Sequence, residues 1–473
     1  MIWPFSKTRQ PARPAPVRAS FDAAQTTDEN SNHWKWTDEL SANQAHSSTV
    51  RKTVRERARY EVANNTYARG IVLTLTNDTI GTGPRLQCLT PDRDVNAQIE
   101  LRWQEWADEV RLADKLWTAK QSKTVDGEAF AHFVTAEHAS PITLDLVLSE
   151  AEQFGRPYTS ASLAGNEADG VTLDDYGRPV SYHRLRTHPG DLTVNFSADV
   201  IPAADVVHLY RPDRPGQTRG VSEIVAALPL FAMLRRFTLA TIAAAETAAD
   251  MAAILHTQSG VVAAPEAIDK LDRVPIARRA ILTMPEGWDL TQLKAEHPST
   301  TYANFKAEIV NEISRCLNMP FNVAACNSAG YNFASGKLDH QIYFKSIRVE
   351  RAYFERVALD KILAAWTQEA ALIPGFFPPE LAALPHQWNG PGMEPIDPVK
   401  EASAQKTRLE AGLTSYPAEY AKDGKDWETE QLRQSESLGI DVDTFRELLA
   451  LKLYGQPADL SPEGAAENAQ EEE

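Results

Sequence analysis

Apolar residues recur at helical spacing along several stretches of the chain, and short β-type segments separate these stretches. Helices are predicted at 34–70, 101–117, 221–257 and 302–317, and short strands at 71–75 and 85–89. Between residues 129 and 207, brief apolar segments alternate with Asp-Gly, Tyr-Gly and Pro-Gly pairs, which predicts hairpins. The pattern therefore predicts a mixed α/β (α+β) chain that is predominantly helical.

A long amphipathic helix is predicted from Ser335, directly after an uncharged loop at 327–334 that contains Gly330 and two asparagines. The apolar positions with helical spacing are Tyr343, Ile347, Phe354, Ala358, Ile362 and Ala365. The basic residues, which fall largely on other faces, are Lys337, Lys345, Arg348, Arg351, Arg356 and Lys361. This pattern fits an ordinary bundle helix behind a surface loop, and it equally fits a surface that meets a moving nucleic acid.

Alanine is abundant in the helix predicted at 221–257, and small side chains let neighbouring helices approach closely. Such a surface suits subunits packed side by side, and it also suits an ordinary bundle. Pro229 is expected to bend or restart this helix. The longest uncharged apolar run, 224–234, is shorter than the roughly 20 residues that cross a bilayer, so no transmembrane helix is predicted. A tryptophan face at 101–117 is predicted to pack in a core.

The composition, with 43% hydrophobic and 24% charged residues in 473, is that of a folded protein with room for more than one core. A net charge of −17 argues against a general nucleic-acid binder, which gains affinity from a basic face. Net acidity is compatible with a conduit, because each neutralised phosphate is a contact that must break when DNA moves. The basic, proline-rich residues 1–32 predict a flexible arm without the apolar segment of a secretory signal.

No cofactor or metal site is predicted. The segment GYNFASGK at 330–337 is similar to a phosphate loop, but its glycines are separated by five residues instead of four. Leu338 also stands where a magnesium-binding hydroxyl is needed. Three cysteines without CxxC spacing predict neither a disulfide framework nor a thiolate site, and suit a reducing compartment. Two pairs of histidines are near each other in the sequence, His132 with His138 and His183 with His188, and neither pair has the spacing of metal ligands.

No catalytic residue is predicted either. Asp174 and Asp175 are adjacent carboxylates, but the stretch around them, LDDYGRP, has the composition of a turn in which Asp accepts local hydrogen bonds. Ser222 lacks the second glycine of a nucleophile elbow and is placed to cap a following helix.

Six stretches, in order along most of the chain, resemble the lambda-type portal proteins of tailed bacteriophages. They are VRERARYEVANNTYARG (54–70), NDTIGTGPRLQ (77–87), DGVTLDDYGRPVSYHRLR (169–186), VIPAADVVHLYRPDRPGQTRGVSEI (200–224), LTMPEGW (282–288) and NFASGKL (332–338). The most distinctive is 200–224, an apolar strand that runs into Arg-Pro-Gly-Gln-x-Arg-Gly. The number and the order of these matches make the resemblance specific.

Two stretches depart from the family's pattern. At 285–287 the chain has Pro-Glu-Gly where the family has a Pro-Gly-Glu-like turn. At 332–338 the family usually has Asn-Tyr-Ser-Ser-Ala-Arg, and this chain keeps Asn332, an aromatic residue and Ser335. The departure leaves the role of Lys337 open.

The resemblance implies a virion protein without catalytic activity of its own. It would form a closed homo-oligomeric ring of about twelve subunits at one capsid vertex, through which double-stranded DNA is packaged and ejected. The implied partners are the terminase large subunit, which hydrolyses ATP, the major capsid protein and scaffold, the head-tail adaptor or neck proteins, and DNA in transit. No membrane and no cofactor are implied, and assembly is expected in the cytoplasm of the host bacterium.

The resemblance also implies a portal fold with wing, stem, clip and crown regions. The expected regions are a flexible basic arm (1–32), an α/β wing (33–220), a first stem helix (221–257), a clip (258–299), a second stem helix (300–318), a tunnel loop region (319–334), a tunnel helix and wing return (335–387), a crown-like helical region (388–456) and an acidic disordered tail (457–473).

The residues expected to face DNA in the channel are Asn332, Ser335, Lys337, Lys345 and Arg348. Two rival hypotheses remain at this point. One is a DNA-processing enzyme, such as a nuclease or an ATPase, against which stand the failed phosphate loop and the missing carboxylate cluster for a metal. The other is a phage adaptor or scaffold protein that forms no ring.

Overall fold

The structure is a computed structural model. It describes residue 28 and residues 31–155, 167–193, 195, 197–250, 254–257, 288–291, 302–377, 384–392 and 397–454. Most of the expected arm (1–32), most of the expected clip (258–299), the turn at 285–287 and the expected acidic tail (457–473) lie outside the described residues.

Helices dominate the chain, with short strands between them. The helices are α1 (Ala42–Ala45), α2 (Ser48–Asn64), α3 (Thr66–Thr79), α4 (Arg93–Glu109), α5 (Leu112–Asp126), α6 (Leu228–Asp250), α7 (Tyr302–Arg315), α8 (Phe321–Ala324), α9 (Phe333–Phe354), α10 (Asp360–Ala370), α11 (Pro398–Glu410), α12 (Tyr416–Lys422), α13 (Trp427–Leu438) and α14 (Val442–Tyr454). Of the residues that the structure describes, 56% are helical, which confirms the prediction of a mixed, predominantly helical fold.

The strands form small antiparallel sheets. They are β1 (Arg85–Cys88), β2 (Glu128–Thr135), β3 (Leu144–Ser149), β4 (Glu167–Ala168), β5 (Val171–Leu173), β6 (Pro179–Leu185), β7 (Ala198–Pro202), β8 (Val206–Tyr210), β9 (Ile254–Thr257), β10 (Trp288–Thr291) and β11 (His386–Asn389). Their pairing orders are β3-β2-β8, β4-β5-β6-β7, β1-β11 and β9-β10. The hairpins predicted at 129–207 and the strand predicted at 85–89 are confirmed.

The helix predicted at 34–70 is two helices, α2 and α3, preceded by turns and the short α1. Asn65 separates them, because its side chain accepts hydrogen bonds from two backbone N–H groups in the first turn of α3, at 3.0 and 3.4 Å. The prediction of one continuous helix is therefore wrong at this cap.

The strand predicted at 71–75 is also wrong, since these residues lie inside α3. Ile71, Val72 and Leu75 are buried on one side of that helix, against other helices. Burial of a helical face outweighs the β propensity of isoleucine and valine here.

The helix predicted at 101–117 is likewise two helices, α4 and α5, because the backbone at Arg111 is left-handed with φ of 52°. The tryptophan face packs in a core as predicted. Trp103 and Trp106 are buried, with ring centroids 4.9 Å apart. Trp117 is partly buried and its indole N–H donates to Asn77 at 2.9 Å.

The helix predicted at 221–257 differs from α6 at both ends, since α6 starts at Leu228 and residues 254–257 form β9. Pro229 lies in the first turn, where its missing N–H costs no intrahelical hydrogen bond, so it starts the helix without bending it. By length and composition, Val225–Glu246 is long and apolar enough to cross a membrane. Arg235 within it forms an ion pair with Glu61 of α2 at 3.0 Å, which ties the helix to the protein bundle.

The helix predicted from Ser335 is confirmed. It starts as α9 and continues through one π-helical segment, Glu355–Leu359, into α10. The predicted apolar positions Tyr343, Ile347, Phe354, Ala358 and Ile362 are buried, and Ala365 is partly buried. The helix predicted at 302–317 is confirmed as α7.

Three hydrophobic cores organise the described residues. One lies between α4, α5, α10 and the β3-β2-β8 sheet, and a second lies among α2, α3, α6, α7, α8 and the first half of α9. A third, smaller core lies against the β4-β5-β6-β7 sheet. The continuous helix α9–α10 contributes Tyr343 and Ile347 to the helical core and Phe354 and Trp366 to the sheet core. It therefore fixes these two cores relative to each other.

The C-terminal part of the described chain consists of α11 to α14, which lie within the region 388–456 that was expected to be helical. Asp397, Ser415 and Asp426 cap α11, α12 and α13 by accepting backbone N–H groups of the first turns.

Candidate functional site

The start of α9 is a reciprocal cap formed by two of the five predicted site residues. The Asn332 side chain accepts a hydrogen bond from the Ser335 N–H at 2.9 Å, and the Ser335 hydroxyl accepts one from the Asn332 N–H at 3.2 Å. Gly330 just before it has φ of 87°, a left-handed conformation that glycine adopts without strain. The sequence NFAS therefore fixes where the loop ends and the helix begins.

The middle of α9 is anchored on the C-terminal end of α3. The Tyr343 hydroxyl donates to the Asp78 carboxylate at 2.8 Å. Arg351 donates to the backbone carbonyls of Asp78 at 2.6 Å and Thr79 at 3.1 Å. A cation that binds the last carbonyls of a helix also complements the negative end of the helix dipole. Burial raises the pKa of Asp78, which the Tyr343 hydrogen bond partly offsets.

A buried ion-pair cluster gives α9 a second anchor. Glu350 of α9 accepts hydrogen bonds from Lys120 at 2.8 Å and Lys123 at 2.7 Å, both on α5. The same two lysines bind Glu223, at 3.3 and 2.5 Å, in the segment before α6. Both lysine side chains are 1% exposed, so an unpaired charge here would be costly.

The pKa directions in this cluster follow from pairing. Burial alone would raise the pKa of Glu223, but Lys120 and Lys123 outweigh burial and hold it far below its usual range. The same two lysines lower the pKa of Glu350. Burial alone would lower the pKa of Lys123, and the two carboxylates together raise it. Lys123, Glu223 and Glu350 are therefore charged at neutral pH.

The five predicted site residues all lie on α9 or its cap, and the structure brings their side chains to the solvent side. Asn332, Lys337, Lys345 and Arg348 are exposed, and Ser335 is partly buried. At 3.6 residues per turn, Lys337 and Arg348 lie about 16 Å apart along the axis and within about 20° around it. Lys345 lies about 60–80° from that row. The basic residues are therefore not on a single row of the helix.

The distinctive stretch at 200–224 holds the interior together. Arg219, which is buried, donates two hydrogen bonds to Glu128, at 2.8 and 2.7 Å. Glu128 also accepts from Arg55 at 3.2 Å, from the Gly220 N–H at 3.0 Å, and contacts His208 at 3.2 Å. Burial would raise the pKa of Glu128, but Arg219, His208 and Arg51 together hold it well below its usual range, so the carboxylate is ionised.

Two glycines allow this stretch to approach β2. A Cβ atom on Gly220 would lie 2.1 Å from the carbonyl oxygen of Gly127, and one on Gly127 would lie 2.3 Å from the Val221 carbonyl carbon. Gly127 also has φ of 94°. The Arg-Gly pair at 219–220 is therefore required by packing, and its place in the structure is inside the subunit.

The groups that most resemble a metal site are Glu150, Glu152 and His188, whose ligand atoms lie within 4.8 Å of one another. Arg59 pairs with both carboxylates, at 3.0 and 3.1 Å, and Arg55 pairs with Glu152 at 3.2 Å. Arginines already neutralise these carboxylates, so the arrangement is an ion-pair network.

The remaining candidates for chemistry have local structural roles. Asp174 accepts hydrogen bonds from the N–H groups of Tyr176 at 2.9 Å and Arg178 at 2.8 Å, which confirms the predicted turn. The prediction that Ser222 caps a helix is wrong, because α6 starts six residues later. The buried Ser222 hydroxyl donates instead to the Thr124 carbonyl at 3.4 Å.

Sequence analysis missed the buried anchors of α9. Glu350 and Glu223 are 127 positions apart, and nothing local to either residue predicts that they share two lysines. One signal was available, since Lys120 and Lys123 follow the apolar Leu116 and Ala119 on α5. Lysines on the buried face of a helix require carboxylate partners.

A family model described as phage portal protein, lambda family, matches residues 27–351. A probable portal protein of Halomonas phage phiHAP-1 is 24% identical over 92% of this chain and 90% of its own length. Portal protein B of Escherichia phage lambda is 21% identical over 56% of this chain and 57% of its own length.

Among solved structures, a chain in the neck of a native gene transfer agent particle aligns with a TM-score of 0.42. The alignment covers 78% of this chain and 92% of that chain, at 16% sequence identity.

Proposed function

We propose that this chain, which belongs to the lambda family of phage portal proteins, forms a closed ring at one capsid vertex through which double-stranded DNA passes. The observation that carries the proposal is the family match over residues 27–351, which includes α2, α3 and almost all of α9. The protein would act mechanically, and hydrolysis of ATP would belong to the terminase that docks on the ring.

The structure supports this proposal through the way α9 is held. Its buried face is fixed by Tyr343, Glu350 and Arg351 to two other helices. Its cap and first turns carry polar and basic side chains in solvent. A wall for moving DNA needs such a rigid support with few strong phosphate contacts, since bound phosphates resist movement. In this proposal Asn332, Ser335, Lys337, Lys345 and Arg348 are the candidates for meeting DNA.

The regions of the subunit follow from the same proposal. Residues 33–220 would form the wing, α6 and α7 the stem, 258–299 the clip and α11 to α14 the crown. The clip would meet the terminase and later the neck proteins, and the outer surface would contact the major capsid protein and scaffold. The ring would be built in the bacterial cytoplasm and remain in the virion.

The test of the ring is the native mass of the purified full-length protein. At micromolar concentration, native mass spectrometry should find closed oligomers of about twelve subunits, with some rings of neighbouring size. A protein that stayed monomeric or dimeric over this range would contradict the proposal and favour an adaptor or scaffold.

A further inference from the structure

The outer side of α9 carries a second apolar stripe, opposite to the face that packs in the cores. Leu338, Ile342 and Val349 are 61%, 60% and 68% exposed. At 100° per residue they fall within an arc of about 40°, and Lys345 lies beside them. A helix that is apolar on its solvent side as well as on its core side has a second packing partner.

A different part of the chain offers an apolar surface with acidic neighbours. Phe305 of α7 is 53% exposed, and Glu308 and Glu312 are exposed within an arc of about 60° around it. On α6, which packs against α7, Phe237 is partly buried and its ring lies 5.2 Å from the ring of Phe305. This surface belongs to the pair α6–α7, whereas the outer stripe of α9 lies on a helix that packs on α3.

The charges around the α9 stripe are complementary to those around the α7 surface, whereas each surface carries charges of one sign that would repel a second copy of itself. Both have an apolar centre, but α9 adds Lys345 and Arg348, and α7 adds Glu308 and Glu312. A two-fold contact would place like charges from the two copies in proximity, because the same patch meets itself. A head-to-tail contact places the lysine and arginine of one copy near the glutamates of the next.

We infer that the outer stripe of α9, made of Leu338, Ile342, Lys345 and Val349, packs on the α6–α7 surface around Phe305 of a second copy of this chain. The contact is head-to-tail, and its repetition closes a ring when the rotation between neighbouring copies permits closure. This inference rests on the proposed function and names the subunit contact within it.

One consequence divides the residues expected to face DNA. Lys345 lies in the stripe and belongs to the subunit contact. Lys337 lies about 80° away from Lys345 around the helix, beyond Arg348 at the edge of the contact, and remains available to DNA. A single helix thus serves both the ring interface and the channel.

Cysteine cross-linking tests this contact directly. In a background with Cys326→Ser, which removes the exposed native thiol, Phe305→Cys and Ile342→Cys are made singly and together. Each protein is treated with a short bifunctional maleimide and resolved under denaturing conditions. The double variant should give a ladder of covalent oligomers, because each copy links to the next, while both single variants should stay monomeric.

The outcomes separate this inference from the proposed function. Rings of normal mass without a ladder in the double variant would overturn the α9 contact and leave the ring intact. Dimers in a single variant at the yield of the double variant would also overturn it, because the inferred contact joins different positions of two copies. Absence of rings from the unmodified protein would count against the proposed function itself.

A charge exchange covers the case in which a cysteine variant fails to fold. Lys345→Glu should raise the protein concentration needed for ring formation at least tenfold. Adding Glu308→Lys and Glu312→Lys should bring this concentration most of the way back to the native value. Lys337→Glu, on the same helix but a different row, is the matched control for ring mass. Equal loss in Lys345→Glu and Lys337→Glu, or no rescue by the glutamate changes, would overturn the contact.

Discussion

Arg219 and Glu128 form a two-point ion pair, with nitrogen–oxygen distances of 2.8 and 2.7 Å, inside the subunit. Both side chains are almost fully buried, at 3% and 0% exposure. Removal of one partner leaves the other charge buried without compensation, which costs about 3–5 kcal/mol. This pair explains why the Arg-Gly of the distinctive stretch occurs in this sequence.

Arg219→Met should therefore lower the free energy of unfolding by about 3–5 kcal/mol. Urea denaturation followed by tryptophan fluorescence measures the change. The matched control is Arg186→Met, because Arg186 pairs with Asp199 at 2.8 Å on the surface, where water screens the charges and the pair contributes little to stability. Equal effects of the two substitutions would show that the buried pair is not a main support of the fold.

Acid should weaken the anchor of α9. The pKa values of Glu223 and Glu350 are lowered in the folded protein, because the buried lysines favour their charged forms more than burial disfavours them. A carboxylate of this kind stabilises the fold above its unfolded pKa, near 4.5, and the contribution is lost as pH falls through the folded pKa. Stability should therefore fall progressively below about pH 4.5.

Glu350→Gln isolates this contribution. The difference in unfolding free energy between the native protein and this variant should be largest near neutral pH and should shrink as pH falls below about 4.5. Denaturation midpoints at a series of pH values give this difference. A gap that stays constant from neutral pH to pH 3 would mean that the Glu350 carboxylate is not held charged by Lys120 and Lys123.

The last seventeen residues should be dispensable for folding. Residues 457–473 contain six acidic residues, no basic ones and almost no large apolar side chains. Such a segment has little surface to bury against the entropy cost of ordering it. Truncation after residue 456 should change the melting temperature by less than about 2 °C. It should also leave the number of subunits in the ring unchanged. A fall of several degrees would show that this segment packs on the fold.

The sequence predicted those elements whose signals are local. The amphipathic face of α9 and the hairpins at 129–207 depend on residues within a few positions of one another, and both are found in the structure. The strand predicted at 71–75 failed because its β-branched residues are buried by distant helices, which the local pattern does not contain. The same limit explains why the helix predicted from residue 221 starts only at Leu228, since the packing of Gly220 on Gly127 joins positions that are far apart in the sequence.

The candidate site shows this limit most clearly. Periodicity identified Lys337, Lys345 and Arg348 as lying outside the core face of α9, and the structure places all three in solvent. Periodicity could not show that one of these basic residues meets a neighbouring subunit and another meets DNA. This distinction depends on knowing that Leu338, Ile342 and Val349 are exposed on the same helix. The exposure of each side chain in the folded protein shows this difference, and the composition of the chain does not.

The central claim is that DNA passes through a ring of these subunits and meets the start of α9. The most direct measurement is the length of the genome packaged in particles assembled with Lys337→Glu, with a shortened 327–334 loop, or with Lys452→Glu as a charge-matched control on α14. The first two should form rings of normal mass but yield particles with truncated genomes or none, because a ring repeats each small contact in every subunit. The control should package normally. Full-length genomes at normal yield in both α9 variants would contradict the claim that this segment faces the channel.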